Sequence, residues 1–215
     1  MIYVYLLKTS LSWTNRDEQL MRYISFERRE KVKSYNFLCD RKTCLYGNLI
    51  VKSKLKEIAG IPISKQKFSY SKLNKPIVKA DKEVYFNISH SDVYVCCAIS
   101  LKSDVGVDIE VIDVAPLETM EYFFHKDEIL YVKSDTDPNT SFYKIWTMKE
   151  AYGKYYGYGL IDELRFVNLL KNSDKYYLTS TINDNTIITI CNKRKDTVRL
   201  EKIDEVSIYS SFIEK

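Results

Sequence analysis

Residues 84–111, with the sequence VYFNISHSDVYVCCAISLKSDVGVDIEV, show the clearest strand pattern in the chain. Three runs rich in β-branched and aromatic residues lie at 84–89, 93–101 and 105–111, and short polar segments separate them. Runs of this kind, bounded by turn-forming residues, predict strands. Connections this short join antiparallel neighbours, so we expect consecutive antiparallel strands in the middle of the chain.

Helical patterns flank these strands on both sides. Apolar residues at helical spacing predict a helix over 40–59, which Gly60 would end. Two more helices are predicted over 116–131 and 142–156, with a polar loop at 134–141 before the second. Further short strands are predicted at 2–7, 175–182, 186–191 and 206–212. Helices mixed with antiparallel strands, without regular alternation, indicate an α+β fold.

Charge divides the chain into two unlike parts. The net charge is +4 over 215 residues, but residues 1–80 carry 17 Lys and Arg against 6 Asp and Glu, a net of +11. Residues 81–215 carry 16 against 23, a net of −7. We expect two domains, residues 1–104 and 105–215, with the boundary where the strand-rich middle meets the acidic part.

Composition excludes several classes of protein. The longest apolar-rich run, residues 93–101, is too short for the ~20 residues of a membrane-spanning helix, and the apolar start lacks the basic residues of a secretory signal. The five cysteines contain no C-x-x-C pair and indicate reduced thiols in a cytoplasmic protein. Only two histidines are present, so a metal would be held mainly by oxygen ligands.

The sequence GVDIE at residues 106–110 places two carboxylates on one face of a strand. Asp108 and Glu110 are two residues apart, whereas Val107 and Ile109 point to the opposite face. Adjacent carboxylates repel each other unless a cation lies between them, which favours a divalent ion. The alternative is a solvated strand face that carries two acids.

The sequence WTMKEA at residues 146–151 lies in the last predicted helix. Glu150 and Lys154 are four residues apart and share a helix face with Trp146, with Lys149 beside them. This face could present a carboxylate and a cation to a substrate. The alternative is a Glu–Lys pair that contributes only about 0.3–0.5 kcal/mol to helix stability above a buried tryptophan.

Two further segments could bind an anion. Ser89, His90 and Ser91 end a predicted strand and could donate hydrogen bonds to a phosphate. Arg28 and Lys31 are three residues apart on a basic helix and could clamp a phosphate. The alternatives are an ordinary turn and a solvated helix surface. Phosphate-binding glycine-rich loops of the common nucleotide folds are absent from the sequence.

Together these segments resemble the 4′-phosphopantetheinyl transferases of the Sfp type. The resemblance extends over most of residues 25–160 and includes the order and separation of the segments. It rests on residues 25–31 (SFERREK), 45–53 (LYGNLIVKS), 86–91 (FNISHS), 106–110 (GVDIE) and 146–151 (WTMKEA), with Lys154, Gly159 and Leu160. The combination of GVDIE with a later WTMKEA is far more specific than either motif alone.

The resemblance implies a monomeric cytoplasmic enzyme that acts on neither nucleic acid nor membrane. It implies transfer of 4′-phosphopantetheine from coenzyme A to a serine of an apo acyl or peptidyl carrier protein, with Mg²⁺ as cofactor. The implied fold is a pseudo-dimer of two similar α+β halves with the active site in the cleft between them. The first half would bind coenzyme A, and the second would bind the metal and carry catalysis.

The resemblance also implies a role for individual residues. Asp108, Glu110 and Glu150 would be the Mg²⁺ ligands. The phosphates of coenzyme A would be held by Arg28, Lys31 and His90. The nucleotide site would be lined by Lys75, Pro76 and Ser89. Pyrophosphate contact or assistance to proton transfer would come from Lys149 and Lys154.

The general base and one phosphate contact are less well defined. Glu150 is the first candidate for the base and Glu128 the second. Thr43 and Cys44 stand where the family often has arginine and threonine, so we expect Arg41 or Lys42 to supply the missing contact, and Asn74 stands where the family has glycine.

The alternative function is a nucleic-acid-binding module that uses the basic first half; the acidic second half argues against it.

Overall fold

Two β-sheets packed face to face form the centre of the protein in a computed structural model that describes residues 1–73, 75–159, 161–171 and 173–213. Asn74 and Leu160, two positions of the family pattern, lie outside the described residues. The strands are β1 (Ile2–Lys8), β2 (Lys67–Tyr70), β3 (Pro76–Lys79), β4 (Tyr85–Ser91), β5 (Tyr94–Ser100), β6 (Val105–Val111), β7 (Tyr177–Asn183), β8 (Thr186–Asn192) and β9 (Val198–Ile203). The helices are α1 (Asn15–Leu20), α2 (Phe26–Ser34), α3 (Leu38–Ala59), α4 (Met120–Phe123), α5 (Lys126–Ser134), α6 (Pro138–Tyr156) and α7 (Glu205–Ile213).

The first sheet has the strand order β4-β5-β1-β9, and the second has the order β6-β8-β7. One face of the first sheet packs on α3 through residues such as Val95 and Leu49. Its other face packs on the second sheet, where Val4 and Cys96 belong to the same buried cluster as Val107. The second sheet in turn carries α6 on its outer face. The result is two sheet–helix halves, which confirms the predicted α+β class.

The two sheets meet at the neighbouring strands β4 and β6. Asn87 on β4 accepts a hydrogen bond through Oδ1 from the amide of Val107 on β6, at 3.0 Å. Residues 107 and 109 point into the core between the sheets, so Asp108 and Glu110 point to the α6 side, as the period of two predicts. This arrangement places both carboxylates at the junction of the two halves.

The basic helix and the long helix of the first half match their sequence signals. Ser25 caps α2, because its hydroxyl accepts from the amide of Arg28. The C-terminus of α3 is marked by Gly60, which adopts the left-handed conformation with φ of 67°. Within the described residues, none of the helices is both long and apolar enough to cross a membrane.

Two of the predicted helix boundaries are wrong. The helix expected over 116–131 is broken at residues 124–125 into α4 and α5. The break arises because Glu128 accepts from the backbone amide of His125 while His125 Nδ1 accepts from the amide of Asp127, and this capping starts a new helix. The loop expected at 134–141 ends early, since Asp137 caps α6 and Pro138 occupies its first turn.

The end of the chain also departs from prediction. Residues 206–212, expected as a strand, form α7, whose N-terminus is capped by Asp204 through the amide of Ser207. Ile208 and Phe212, four residues apart, pack into the core of the first half. The unpredicted strand β9 pairs in parallel with β1. The last strand and helix therefore belong to the first sheet and core, although residues 105–215 were assigned to the second domain.

Candidate active site

The candidate site lies where β4, β6 and α6 meet. Gly106 allows β6 to approach α6 closely, because an added Cβ would lie 2.6 Å from the backbone nitrogen of Tyr155 and closer still to the carbonyl oxygen of Ala151. This approach brings the carboxylates of β6 next to the side chains of α6. The glycine of the GVDIE motif thus has a packing role, which is separate from the chemistry of the acids that follow it.

Asp108 lies at the centre of the site and is 2% exposed. Its Oδ1 accepts from the Lys154 ammonium at 2.6 Å and from the Ser89 hydroxyl at 2.7 Å. Lys154 also donates to the Ser89 oxygen at 2.9 Å, which closes a triangle of three polar groups. The other oxygen, Oδ2, is buried and has no hydrogen-bond partner among the residues that the structure describes. Such an oxygen is costly to bury unless a cation or donor satisfies it.

Glu110 points to the same side of β6 as Asp108. Its Oε2 accepts from the hydroxyl of Ser91 at 2.7 Å. Burial away from water, reinforced by the negative charge of Asp108, raises the pKa of the Glu110 carboxyl to about 7. Two neighbouring carboxylates that are both removed from water are unfavourable in their charged forms unless a cation compensates them.

Glu150 supplies a third carboxylate from α6. Its Oε2 lies 3.9 Å from Lys154 Nζ, one helical turn away. Burial raises the pKa of Glu150 above its usual value, and the positive charge of Lys154 only partly offsets this. Burial alone would lower the pKa of Lys154, but the charges of Asp108 and Glu150 outweigh it, so this pKa is raised. Asp108 and Glu150 therefore share one ammonium, while Glu110 lies beyond ion-pair distance from it.

This donor set fits a hard divalent cation. Carboxylate oxygens are the preferred ligands of Mg²⁺, and Oδ2 of Asp108, which has no hydrogen-bond partner among the described residues, offers a buried oxygen to such a cation. In the described part of the chain, no three His, Cys, Asp or Glu side chains are close enough together to form a ready-made metal centre. The metal assignment of the three acids therefore stays a prediction.

A basic cavity of about 210 Å³ opens beside the carboxylates. Lys154 lines it and thereby connects it to Asp108. The predicted phosphate and nucleotide residues Arg28, Lys31, Pro76 and His90 all line the same cavity. Protein atoms around the ring of His90, which is otherwise exposed, partly remove it from water and lower the pKa of its imidazole, so the neutral form is favoured. The structure thus brings together four positions that the sequence spreads over 63 residues, from 28 to 90.

A second cavity of about 380 Å³ adjoins the basic cavity and shares Pro76 and Lys154 with it. Lys75 lines this second cavity, and its ammonium donates to Asp104 at 2.8 Å and to the carbonyl of Tyr155 at 3.1 Å. Lys75 therefore ties the β2–β3 hairpin to α6. Its position beside the basic cavity agrees with the expected nucleotide site, while its ammonium is engaged in bridging the halves.

Lys149 is a correction to the predicted site. Its ammonium is fully buried and pairs with Glu128 at 2.7 Å, and it donates to the carbonyls of Leu164 and Val167 at 2.7 and 2.5 Å. This ammonium faces the interior of the second half, because adjacent helix residues are about 100° apart and Glu150 occupies the side toward the cleft. Lys149 therefore cannot contact a phosphate there, and the prediction is wrong.

The same pair removes Glu128 as a candidate base. Its carboxylate is also fully buried and accepts from the amides of His125 and Leu169 as well as from Lys149. A carboxylate with all these donors stabilises the packing of α5 on α6 and has no access to the cleft. Glu150 is the candidate that remains.

Arg41 and Lys42 do not supply the missing phosphate contact. The Arg41 guanidinium donates to the carbonyls of Tyr35 and Lys33. Lys42 is fully buried and pairs with Asp17 at 3.4 Å and Glu205 at 2.8 Å. Thr43 and Cys44 themselves line the basic cavity. Burial raises the pKa of the Cys44 thiol, so the cavity presents a neutral group at this position.

Two residues shape the site in ways that were not expected: Asn87, which the sequence did not single out, and Ser91, which donates to Glu110 and not to a phosphate. Together with Ser89 they occupy alternate positions of β4 and point toward β6, where Ser91 accepts from the amide of Val111. The spacing of two was present in the sequence NISHS. It gave no indication of which strand would lie opposite, because the contact between β4 and β6 is tertiary.

Comparison with known proteins agrees with the geometry. Residues 104–205 match the family model described as the 4′-phosphopantetheinyl transferase superfamily. Residues 12–102 match the model described as 4′-phosphopantetheinyl transferase, N-terminal. The two matches meet between residues 102 and 104, beside the domain boundary expected from the sequence.

Individual relatives are similar over about two thirds of this chain. The chain is 35% identical over 139 residues to 4′-phosphopantetheinyl transferase gsp of Aneurinibacillus migulanus, covering 64% of this chain and 57% of the relative. It is 34% identical over 146 residues to 4′-phosphopantetheinyl transferase Sfp of Bacillus subtilis, covering 67% and 65%. It is 29% identical over 160 residues to the mouse L-aminoadipate-semialdehyde dehydrogenase-phosphopantetheinyl transferase, covering 67% and 52%.

The matched region therefore spans less than two thirds of the length of these curated relatives. The two family models nevertheless match nearly all of the chain in the order expected for the family. The fold, the shared motifs and these matches lead to one conclusion: the chain belongs to the Sfp-type 4′-phosphopantetheinyl transferase family.

Proposed function

We propose that the protein transfers 4′-phosphopantetheine from coenzyme A to a serine hydroxyl of an apo acyl or peptidyl carrier protein and releases adenosine 3′,5′-bisphosphate. One observation carries the proposal: Lys154 lines the basic cavity and, in the same conformation, binds Asp108 at 2.6 Å. A phosphate-binding cavity and a carboxylate cluster thus share one lysine. Coenzyme A has phosphates for the former and a reacting pyrophosphate for the latter.

Arg28 and Lys31 are the residues proposed to bind phosphates of coenzyme A. Both line the basic cavity with His90, and the Arg28 guanidinium also lies over the ring of Tyr70, 5.9 Å from its centroid. Guanidinium groups bind phosphate oxygens in pairs, so Arg28 can fix orientation as well as charge. His90, largely neutral, would contribute a hydrogen bond more than a charge. Pro76 would line the adjoining part of the nucleotide site. Ser89, expected there as well, is buried and contacts Asp108 and Lys154, so its place is in the carboxylate cluster.

Asp108, Glu110 and Glu150 are the residues proposed to hold Mg²⁺. When bound, Mg²⁺ would neutralise the charge that develops on the pyrophosphate oxygens. Lys154 supplies a fixed positive charge at the same place, where it can stabilise the departing phosphate. The partnerless oxygen of Asp108 supports this assignment.

The serine hydroxyl of the carrier must lose its proton as it attacks the β-phosphorus. Glu150 is the proposed base as an alternative to its role as an Mg²⁺ ligand, since a carboxylate bound to the cation is a poor proton acceptor. Lys154, one turn along α6, pairs with Glu150 and keeps it ionised. A water molecule between base and hydroxyl would serve equally well.

The cellular setting is part of the proposal. All five cysteines are free, which suits the reducing cytoplasm, and we expect the enzyme to act there as a monomer. The nucleic-acid-binding alternative receives no support from the comparisons, since both family models describe phosphopantetheinyl transferases. Arg28 and Lys31, on which that alternative rested, face a cavity that also contains Lys154 of the second half.

The proposed activity is tested by intact-mass measurement of an apo carrier protein incubated with the purified protein, coenzyme A and Mg²⁺. We expect the carrier to gain the mass of one phosphopantetheine group, and an equal amount of adenosine 3′,5′-bisphosphate to appear. A carrier whose acceptor serine is replaced by alanine serves as the control. An unchanged carrier mass, across acyl and peptidyl carriers, with a folded protein that binds coenzyme A, would contradict the proposal.

A further inference from the structure

Ser91 is a polar residue at the edge of the site that the proposed mechanism leaves without a role. Its hydroxyl donates to Glu110 Oε2 at 2.7 Å and accepts from the amide of Val111 at 3.2 Å. A hydroxyl has one hydrogen to donate and two lone pairs to accept. Since one lone pair takes the Val111 hydrogen, the hydroxyl is oriented, and its own hydrogen is directed to the carboxylate.

The two carboxylates of β6 are each matched by one serine of β4. Ser89 donates to Asp108 and Ser91 donates to Glu110, with the same spacing of two on both strands. Asp108 is held in addition by the ammonium of Lys154. Among the described residues, Glu110 has no ion pair within 4 Å. Its orientation therefore depends on hydrogen bonding, chiefly with Ser91 at 2.7 Å and also with the indole of Trp146.

We propose that Ser91 is a positioning residue, which holds the Glu110 carboxylate in the orientation needed to bind the divalent cation. The inference rests on the proposed function, because the cation is part of it. Residues that orient metal ligands through hydrogen bonds typically account for a ~10–100-fold difference in metal affinity. Ser91 would therefore act on metal binding and leave the coenzyme A cavity, which it does not line, unchanged.

Three variants of Ser91 separate hydrogen bonding from packing. Ser91→Ala removes the hydroxyl, Ser91→Cys keeps a group of similar size that donates only weakly, and Ser91→Thr keeps the hydroxyl. The matched control is Ser180→Ala on β7, in the sheet that carries Glu110, which removes a serine hydroxyl at 2.8 Å from Thr189 Oγ1. If Ser91→Ala does not fold, Ser91→Cys carries the test.

The measurement is Mn²⁺ binding to the full-length protein by electron paramagnetic resonance, together with the Mg²⁺ dependence of transfer. We expect Ser91→Ala and Ser91→Cys to bind Mn²⁺ at least ~10-fold more weakly, and Ser91→Thr and Ser180→Ala to bind it as the wild type does. The Mg²⁺ concentration for half-maximal transfer should rise by the same factor, with the KM for coenzyme A and the rate at saturating Mg²⁺ unchanged.

Equal Mn²⁺ affinity in Ser91→Cys and the wild type would overturn the inference, as would failure of Ser91→Thr to restore binding. These outcomes are distinct from a failure of the proposed function. If only the proposed function failed, the wild-type protein would bind Mn²⁺, and the Ser91 variants would bind it more weakly, but no carrier protein would be modified.

Discussion

Replacing Gly106 by alanine is the change that most directly perturbs how the site is assembled. An ideal Cβ at this position lies 2.6 Å from Tyr155 N and closer to the oxygen of Ala151, whereas real Cβ contacts under 3.0 Å essentially do not occur. The nitrogen alone demands a shift of 3.0 − 2.6 = 0.4 Å, and the oxygen demands more. Both obstacles are backbone atoms of α6, so β6 and the whole helix must separate.

The consequence of that separation is a loss of geometry at Lys154. Its ammonium contacts Asp108 at 2.6 Å across the same interface, one helical turn from the obstructed position. A misplacement of the order of 1 Å can reduce a rate by about 100-fold, and overpacking a core contact costs about 1–3 kcal/mol in the free energy of unfolding. We expect Gly106→Ala to lose at least ~100-fold in kcat/KM for transfer while a folded fraction remains measurable.

The assay combines carrier modification kinetics with urea denaturation of the same samples. Gly60→Ala is the control, since the φ of 67° at this position makes alanine unfavourable by about 1–2 kcal/mol. An added Cβ there would meet only Lys82 Nζ, at 3.9 Å, and Gly60 lies at the end of α3, outside the β6–α6 interface. It should lose stability and keep its activity. If Gly106→Ala retained kcat/KM within threefold of the wild type, close packing of β6 on α6 would not be what positions Lys154.

Three further predictions follow from the contacts described. Lys149→Met should lower the free energy of unfolding, measured by urea denaturation, by about 3–5 kcal/mol, because Glu128 would be left buried and unpaired. Adding Glu128→Gln should restore part of this loss. If it restores none, the unpaired charge of Glu128 is not the cause. Arg28→Ala should raise the KM for coenzyme A by about 10-fold or more without changing the KM for the carrier, and equal effects on both would argue against its role in the basic cavity. The folded-state pKa of Glu110, about 7, lies above its usual value, so the native state binds this proton more tightly and the free energy of unfolding of the metal-free protein should fall as the pH rises from 5 to 8. The fall measured by urea denaturation should be smaller in Glu110→Gln, and an identical fall would show that Glu110 is not responsible.

The parts of the site that sequence alone could predict are those set by local periodicity. Asp108 and Glu110 share a face because side chains alternate along a strand, and the structure places Val107 and Ile109 in the opposite core. The cap of α2 is equally local, since the Ser25 hydroxyl accepts from the amide of Arg28 within the first turn, and serine is a preferred residue at this position.

The parts that could not be predicted depend on contacts distant in the chain. Lys149 lies beside Glu150 in the sequence, but only the packing of α5 and residues 164–167 on α6 shows that its ammonium faces the core. Residues 206–212 have the composition of a strand, yet the cap at Asp204 and the burial of Ile208 and Phe212 favour a helix. Tertiary packing decides the direction of the Lys149 side chain, and at residues 206–212 the cap and the burial together override the local strand propensity.

The central claim is that the carboxylate cluster beside the basic cavity carries out transfer, and Asp108→Ala tests it most directly. The measurement is the rate of phosphopantetheine addition to an apo carrier protein by intact mass, at saturating Mg²⁺, for the wild type, Asp108→Ala and Asp113→Ala. Asp113 is the control because it lies just beyond β6, where its carboxylate accepts from the amide of Val114 on an exposed loop. We expect Asp108→Ala to abolish transfer and Asp113→Ala to leave it unchanged. Near-normal transfer by folded Asp108→Ala would show that the carboxylate cluster does not carry out the reaction.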